Sequence, residues 1–382
     1  MPVAAALSEH PLATHAVGEC VGEVLDQIGP MCDLAVVFVT GPHSGALEDI
    51  AASIRTLLNP RVLLGATAVS VLGGGREVED VAGMTLWAAR LGVDVEPLRL
   101  EAHESFGDVL LAGGAGLPGR SGTVIAVADP FSMPVDGLID QLADLAPGIQ
   151  LIGGMASAAR GPGGNTLVLD GEHFRDGAVG VFLPPEVEVT PVVSQGCRPF
   201  GQPWTITRCE RNAIYELAGQ TALDRLMSEL AELDPDERAS AAQGLHVGLV
   251  IDEHRSAFGR GDFLIRGVVG ADREVGAVVI GAEVEVGQTA QFQLRDAAAA
   301  DEDLRALMRG RRADGALVFT CNGRGSRLFG APDHDAQVVA DSIGGRGVGG
   351  MFCAGELGPV GGQNHLHGFT ASIALFGASG PS

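Results

Sequence analysis

The chain has 382 residues, of which 46% are hydrophobic and 19% charged, so it can bury sizeable cores and does not have a disordered composition. Its formal net charge of −23 argues against binding to nucleic acids or anionic membranes, since both require a basic surface. No apolar run reaches about 18 residues and the N-terminus lacks signal-peptide features, so we expect a cytoplasmic protein without membrane insertion.

A pattern of strand, helix, strand, glycine-rich hairpin and strand occurs three times along the chain. The leading strands are the apolar runs at 33–40, 122–129 and 315–322. The second strands and their glycine-rich turns span 63–75, 151–164 and 347–362. A helix between two strands predicts a right-handed crossover, and the hairpin then adds an antiparallel neighbour, so we expect mixed sheets.

A different segment separates the second and third copies. Residues 186–226 contain strand-like runs, and Thr221 followed by Asp224 predicts the start of a helix. The runs at 245–252 and 265–284 are interpreted as a degraded fourth copy with a shortened hairpin. The length and this organisation predict two domains.

The loop after the third leading strand is the first candidate binding site. Cys321 and Asn322 end the strand, and Gly323, Arg324 and Gly325 follow in a turn whose N–H groups can face an anion. Ligands of open α/β sheets bind at the carboxyl ends of strands. We therefore predict that Arg324 donates a forked pair of hydrogen bonds to a ligand carboxylate or phosphate. The alternative is an ordinary turn with a surface arginine.

The C-terminal hairpin is the second candidate. Glu356 and His367 flank its mouth and are predicted to contact a ligand. With His365 they have the residue types of a metal site, but a histidine at a strand start more often satisfies backbone groups, so no metal is predicted. Arg198, in a strand broken by glycine and proline, is a further ligand-binding candidate.

The segment at 70–80 carries three glycines followed by acidic residues. We interpret it as a hairpin, because no helix follows as a dinucleotide-binding turn requires. Cys353 lies on an apolar run and is interpreted as a core residue.

These motifs together resemble the FIST family, a sensory module with N-terminal and C-terminal domains. The strongest likeness is in FTCNGRG (319–325), GMFCAGELGPVGG (350–362) and HGFTASIAL (367–375), in that order and spacing. The resemblance covers roughly residues 12–377. It implies binding of amino acids or related metabolites, without established catalysis, and a separate signalling protein as partner, since we expect no output domain here.

From the residues and this resemblance we predict a mixed α/β fold with two pseudo-repeated lobes, helices covering the sheets, and a layered αββα arrangement. The predicted domains are 12–190 and 191–377. The predicted function is a ligand-binding sensor without a cofactor, metal or catalytic residues. The alternatives are an enzyme with Cys321 as nucleophile and His367 as base, and a protein-binding scaffold. The predicted ligand-binding residues are Cys321, Asn322, Gly323, Arg324, Gly325, Phe352, Glu356, Gly358, Pro359, His367 and Arg198.

Overall fold

A computed structural model describes residues 1–105, 108–114, 116–235, 237, 238, 241, 244–255, 257–259, 261–345 and 347–378. Residues 1–193, 304–366 and 370–382 form one compact unit, which we call the first unit. Residues 194–303 and 367–369 form the second unit. Both units follow contacts rather than chain order, so the predicted domain limits stay a prediction. No described helix has the length and apolarity needed to cross a lipid bilayer.

The described helices are α1 (Ala13–Ile28), α2 (Leu47–Leu57), α3 (Val135–Leu145), α4 (Ala222–Glu232), α5 (Ala297–Met308), α6 (Ser326–Phe329) and α7 (His334–Ile343). The strands of the first half are β1 (Val3–Ser8), β2 (Leu34–Thr40), β3 (Val62–Ala68), β4 (Ser70–Gly73), β5 (Arg76–Glu79), β6 (Met84–Ala89), β7 (Glu96–Ser105), β8 (Asp108–Ala112), β9 (Ser121–Ala128), β10 (Gly148–Met155), β11 (Leu167–Leu169), β12 (Glu172–Phe174) and β13 (Ala178–Leu183). The later strands are β14 (Val189–Gln195), β15 (Cys197–Pro199), β16 (Trp204–Glu210), β17 (Ala213–Leu217), β18 (Gln220–Thr221), β19 (Leu245–Val250), β20 (Phe263–Asp272), β21 (Ala277–Ile280), β22 (Thr289–Arg295), β23 (Gly315–Cys321), β24 (Val348–Cys353), β25 (Glu356–Val360), β26 (Gln363–His367) and β27 (Thr370–Phe376).

The predicted mixed α/β fold is confirmed, and three segments of the first unit share one order of elements. Each has a leading strand, a helical connection and a parallel second strand, as in β2 with β3, β9 with β10 and β23 with β24. A hairpin follows, and a last strand then pairs antiparallel with the leading strand. We call these segments copy 1, copy 2 and copy 3.

The hairpin of each copy pairs with the sheet of another copy. The β4–β5 hairpin of copy 1 pairs with β24 of copy 3, and the β25–β26 hairpin of copy 3 pairs with β10 of copy 2. The β11–β12 hairpin of copy 2 pairs with β3 of copy 1, which closes the cycle. Each copy therefore gives one hairpin and receives one.

Where a hairpin of one copy pairs with a strand of another copy, the receiving strand has a glycine opposite the hairpin. Gly153 is opposite Leu357, and Gly350 is opposite Leu72. A Cβ atom would lie 1.9 Å from the Ala126 carbonyl oxygen at Gly153, and 2.0 Å from the Val318 carbonyl oxygen at Gly350. Both contacts are with backbone of the neighbouring parallel strand, which leaves no room for a side chain at either position.

The three sheets of the first unit enclose one hydrophobic core. Phe38 of β2 and Phe319 of β23 pack edge to face with ring centroids 6.1 Å apart, and Ile125 of β9 belongs to the same cluster. The helices cover the outer faces, where separate clusters form around α1 and α2, α3, and α7. The expected αββα stacking therefore needs correction for this unit: three sheets meet at a common centre because each exchanges a hairpin.

The second unit is built on a different plan from the three copies. Strands β22, β16, β17, β21, β20 and β19 pair in succession, and β19 also pairs with β22, which closes a ring. These pairings are antiparallel. The interpretation of the runs at 245–252 and 265–284 as a degraded fourth copy is therefore wrong, because β19 and β20 pair antiparallel, whereas the first two strands of a copy are parallel. The predicted helix start is confirmed, since the Thr221 side chain accepts a hydrogen bond from Asp224 N at 3.3 Å.

We expect Gly350→Ala to lower the free energy of unfolding by about 2–4 kcal/mol, because the added methyl group overlaps the backbone of β23. The control is Gly18→Ala in α1, where a Cβ meets no atom within 4 Å. The control should stabilise the protein by about 0.5–1 kcal/mol through helix propensity. Urea unfolding measures both. Equal midpoints for Gly350→Ala and the native chain would contradict the close approach.

Candidate functional site

A fully buried ion pair lies at the carboxyl end of β23. Arg324 follows that strand and Asp335 lies in the first turn of α7, and both side chains have 0% exposure. Arg324 Nε donates to Asp335 Oδ2 at 2.7 Å, and Nη2 donates to Oδ1 at 2.8 Å. The Thr320 hydroxyl adds a hydrogen bond to Oδ2 at 2.6 Å. Although burial raises it, the positive charge of Arg324 holds the pKa of Asp335 well below its usual range.

The predicted forked contact of Arg324 with a ligand needs correction. Its fork of Nε and Nη2 binds Asp335, because a buried guanidinium requires a charge partner within the protein. Nη1 is the nitrogen that remains, and it has no hydrogen-bond partner in the part of the chain that the structure describes. A ligand oxyanion would therefore reach Arg324 through a single nitrogen.

Glu356 is a second buried ionisable group at this site. It begins β25, has 0% exposure, and its Oε2 accepts hydrogen bonds from the Thr370 amide at 3.1 Å and the Thr370 hydroxyl at 2.8 Å. Burial raises its pKa to about 8, although hydrogen bonds from Thr370 and Cys321 and the charge of Arg324 oppose the rise. Glu356 is therefore mostly protonated at neutral pH, and its carboxyl group can both donate and accept a hydrogen bond.

The structure brings Cys321 next to Glu356 and to the end of β24. Cys321 is 8% exposed and is the register partner of Cys353 across the parallel strands. Cys353 faces the central core, as interpreted from sequence, and burial raises its thiol pKa well above the usual range. Asn322 N donates to the Cys353 carbonyl at 2.9 Å, while the buried Asn322 Oδ1 has no hydrogen-bond partner among the described residues.

The other predicted residues of the first unit surround this loop or the strand beside it. A Cβ at Gly325 would lie 2.8 Å from the Phe352 ring, so the turn at Gly323 and Gly325 packs closely on β24. Gly358 lies on β25 against Val193 and Ser372, where a Cβ would lie 2.5 Å from Val193 Cγ2. Pro359 follows it, half-buried.

Two predicted residues belong to the second unit. His367 is 2% exposed at the end of β26. Arg198 on β15 binds Asp296 through Nε at 3.0 Å and Glu237 through Nη2 at 2.6 Å. Arg198 therefore already has two carboxylate partners. Within the described ranges, no three or more His, Cys, Asp and Glu side chains are grouped as metal ligands.

Sequence reasoning missed two glutamates of the β4–β5 hairpin. Glu77 Oε1 accepts hydrogen bonds from the amides of Asp335 and Ala336 at 3.0 and 3.1 Å, which caps α7. Glu79 caps α6 by accepting from the Ser326 amide and hydroxyl at 2.9 and 2.7 Å. Burial, followed by the charge of Asp335, raises the pKa of Glu77 to about 7. The sequence did contain one signal: Glu77 and Glu79 are two residues apart, so both side chains lie on the same face of a strand.

Comparisons with known proteins agree with these motifs. A model of the FIST N domain matches residues 33–220, and a model of the FIST C domain matches residues 222–359. This chain belongs to the FIST family. FIST domains are generally described as sensory domains of signal transduction. The resemblance carried by FTCNGRG and GMFCAGELGPVGG is thereby confirmed.

Similar proteins occur in mycobacteria. An uncharacterised protein of Mycobacterium bovis is 40% identical over 374 residues, which cover 96% of this chain and 96% of that protein. An uncharacterised protein of Mycobacterium tuberculosis is 39% identical over 383 residues, which cover 98% of this chain and the whole of that protein. The similarity to these relatives therefore extends over nearly the whole of this FIST chain.

We expect the stability of this FIST protein to fall as the pH rises from about 4.5 towards 8. Over that window the folded state keeps a proton on Glu356 that the unfolded chain releases, and Glu77 acts in the same direction up to about 7. Glu356→Gln keeps the acceptor for Thr370 without titrating, so it should be more stable than the native chain at pH 8.5 and show a shallower decline. Urea unfolding at pH 5.5, 7.0 and 8.5 tests this.

The matched control is Glu186→Gln, at an exposed turn position, which should keep the native slope. Parallel declines for Glu356→Gln and the native protein would show that Glu356 is ionised in the folded state.

Asp335→Ala should lower the free energy of unfolding by about 3–5 kcal/mol, because it leaves the buried Arg324 guanidinium without a counter-charge. Asp341→Ala, at an exposed position of the same helix, should change it by no more than about 0.5 kcal/mol. Chemical denaturation compares the two variants. Similar effects in both would mean that the ion pair contributes little.

Proposed function

We propose that this FIST protein is a sensor that binds a small metabolite, an amino acid or a related compound, at the carboxyl ends of β23 and β24. The observation that carries the proposal is the buried Arg324 Nη1, which has no hydrogen-bond partner among the described residues. Leaving such a donor unsatisfied costs about 1–3 kcal/mol, more for a charged group. Because a buried donor without a partner is costly, we infer that a ligand supplies the missing hydrogen-bond acceptor for Nη1.

The chemistry of the site suits a ligand that carries both an acid and an amine. Nη1 of Arg324 can donate to a carboxylate. Asn322 Oδ1 accepts hydrogen bonds, as an ammonium group requires, and lacks a partner among the described residues. Glu356 is largely neutral at pH 7, so it adds a hydrogen-bonding group without repelling the ligand carboxylate. A free amino acid presents these two complementary groups a short distance apart.

For signalling, we propose that the ligand-bound protein acts in the cytoplasm through a separate protein partner. We also infer that the three segments of the first unit are internal repeats of one ancestral element, since they share element order and pairing. Neither nucleic acid nor membrane insertion is part of this proposal, in keeping with the charge of −23.

The alternative of a Cys321 enzyme has less support. The thiol is 8% exposed and hydrogen-bonds to Glu356, so a carboxyl group lies beside it. The scaffold alternative would need a large continuous apolar patch. Both stay predictions, and a binding screen separates them from the sensor proposal.

The test is a thermal-shift screen of the twenty amino acids and their simple derivatives, with isothermal titration calorimetry of each compound that stabilises the protein. At a hundredfold excess over Kd, a binder stabilises the fold by about 2.7 kcal/mol, which corresponds to several °C. Asn322→Ala should keep the unliganded melting temperature and lose most of the ligand-induced shift.

The control is Asn364→Ala, whose side chain binds the backbone of β10 at 2.8 Å from both its oxygen and its nitrogen. This variant should melt at a lower temperature and keep the ligand-induced shift. The proposal is wrong if no compound stabilises the native protein, or if Asn322→Ala binds as tightly as the native chain.

A further inference from the structure

A cluster of buried polar and aromatic side chains lies within the second unit, on residues that sequence reasoning did not select. His246 of β19 is 3% exposed, and Gln293 of β22 is 1% exposed. The two are register partners in antiparallel strands, so their side chains project from the same face. The core of the unit takes the alternate positions, Val247, Leu249, Phe292 and Leu294. We call His246, Gln293, Arg295 and Phe369 the His246 cluster.

Phe369 holds this cluster together. Its ring packs edge to face against His246 with centroids 4.1 Å apart. The Arg295 guanidinium carbon lies 5.0 Å from the centroid of the same ring. Arg295 is two residues beyond Gln293 on β22, which puts it on the same face. The strand register and the two ring contacts therefore bring a cation, an imidazole and an amide to one place.

Gln293 Nε2 is a buried donor of this cluster, and it lacks a hydrogen-bond partner among the described residues. Gln293 is also accommodated by a glycine, because a Cβ at Gly248 would lie 2.7 Å from Gln293 Nε2. A leucine would fill such a buried position without leaving a polar group unsatisfied. The presence of an amide donor here points to a ligand.

The charge of the cluster decides the class of ligand. Gln293 Nε2 can only donate, whereas the His246 ring already donates its hydrogen bond to the Gly244 backbone. Burial, followed by the charge of Arg295, lowers the pKa of His246 to about 4, so the ring is neutral near pH 7. Arg295 supplies a positive charge in a chain whose net charge is −23. An amide donor beside a cation complements an oxyanion.

We propose that the His246 cluster is a binding site for a small oxyanion, a carboxylate or a phosphate, with Gln293 as the hydrogen-bond donor and Arg295 as the charge partner. The site is distinct in its residues from the Arg324 site, and it does not depend on the amino acid proposed there. Acetate and inorganic phosphate represent the two sources of the shared chemistry.

The experiment titrates the full chain with sodium acetate and, separately, with sodium phosphate, against sodium chloride at equal ionic strength. Thermal shift and calorimetry are the readouts. We expect one of the two anions to give a saturable stabilisation that chloride does not give. Which of them binds more tightly identifies the carboxylate or phosphate preference.

Gln293→Leu is the decisive variant. It replaces an unsatisfied buried amide by an apolar side chain of similar size, so its unliganded stability should equal or exceed that of the native chain. Its affinity for the anion should fall by about tenfold or more, because a hydrogen bond to a charged group is lost. If Gln293 had only a structural role, Gln293→Leu would not lower the anion affinity while leaving the stability unchanged or higher.

The matched control is Gln291→Leu on the same strand and face. Gln291 Nε2 donates to the Gly201 carbonyl at 2.7 Å, so this variant should lose stability and keep the anion affinity. The inference is overturned if neither anion gives a saturable effect with the native chain, or if Gln293→Leu binds the anion with native affinity.

Discussion

The close contact of backbone with backbone at Gly153 and Gly350 is the constraint on which the first unit depends. A hairpin strand of one copy can lie against the second strand of another copy only where that strand approaches its parallel neighbour without a side chain. Gly65 repeats the arrangement opposite Val168. Three such contacts join the copies in a cycle, and the shared core forms between the sheets that result.

The candidate site is a product of the same exchange. The hairpin given by copy 1 carries Glu77 and Glu79 to the loop that follows β23, where they cap α7 and α6. Those caps fix the helix that carries Asp335, and Asp335 in turn fixes Arg324. The guanidinium is thus held by residues of two copies. These contacts hold the buried guanidinium in one orientation, with Nε and Nη2 on Asp335, so that Nη1 is the nitrogen that a ligand could reach.

Much of this fold could be predicted from sequence because the apolar runs and glycine turns follow the periods of strands and hairpins. The helix start at Thr221 was predictable from local chemistry, and so was the core role of Cys353. In copy 3 it is Gly350, and not the adjacent Gly349, whose Cβ would overlap the backbone of the parallel strand. Two adjacent glycines carry no local signal that distinguishes them.

Long-range pairing could not be predicted in the same way. Glu77 is 258 residues from Asp335 in the chain, and an acidic hairpin looks the same whether it caps a distant helix or faces solvent. The pairing of Arg324 with Asp335 was hidden for a related reason, since the sequence around Arg324 does not indicate which acid 11 residues later binds it. His246 and Gln293 have ordinary strand contexts, and only their register and burial set them apart.

The hairpin cycle also has a consequence for synthesis on the ribosome. The β4–β5 strands emerge early, but their partner β24 begins at residue 348 of 382. Copy 1 therefore leaves the exit tunnel with its exchanged hairpin unpaired, and that hairpin stays so until β24 has been translated, whereas the place on β3 can be filled as soon as β11 follows. Contacts of such sequence separation form slowly and expose strand edges in the meantime. The edge of the unpaired hairpin is thus exposed to pairing with other chains for as long as β24 is missing.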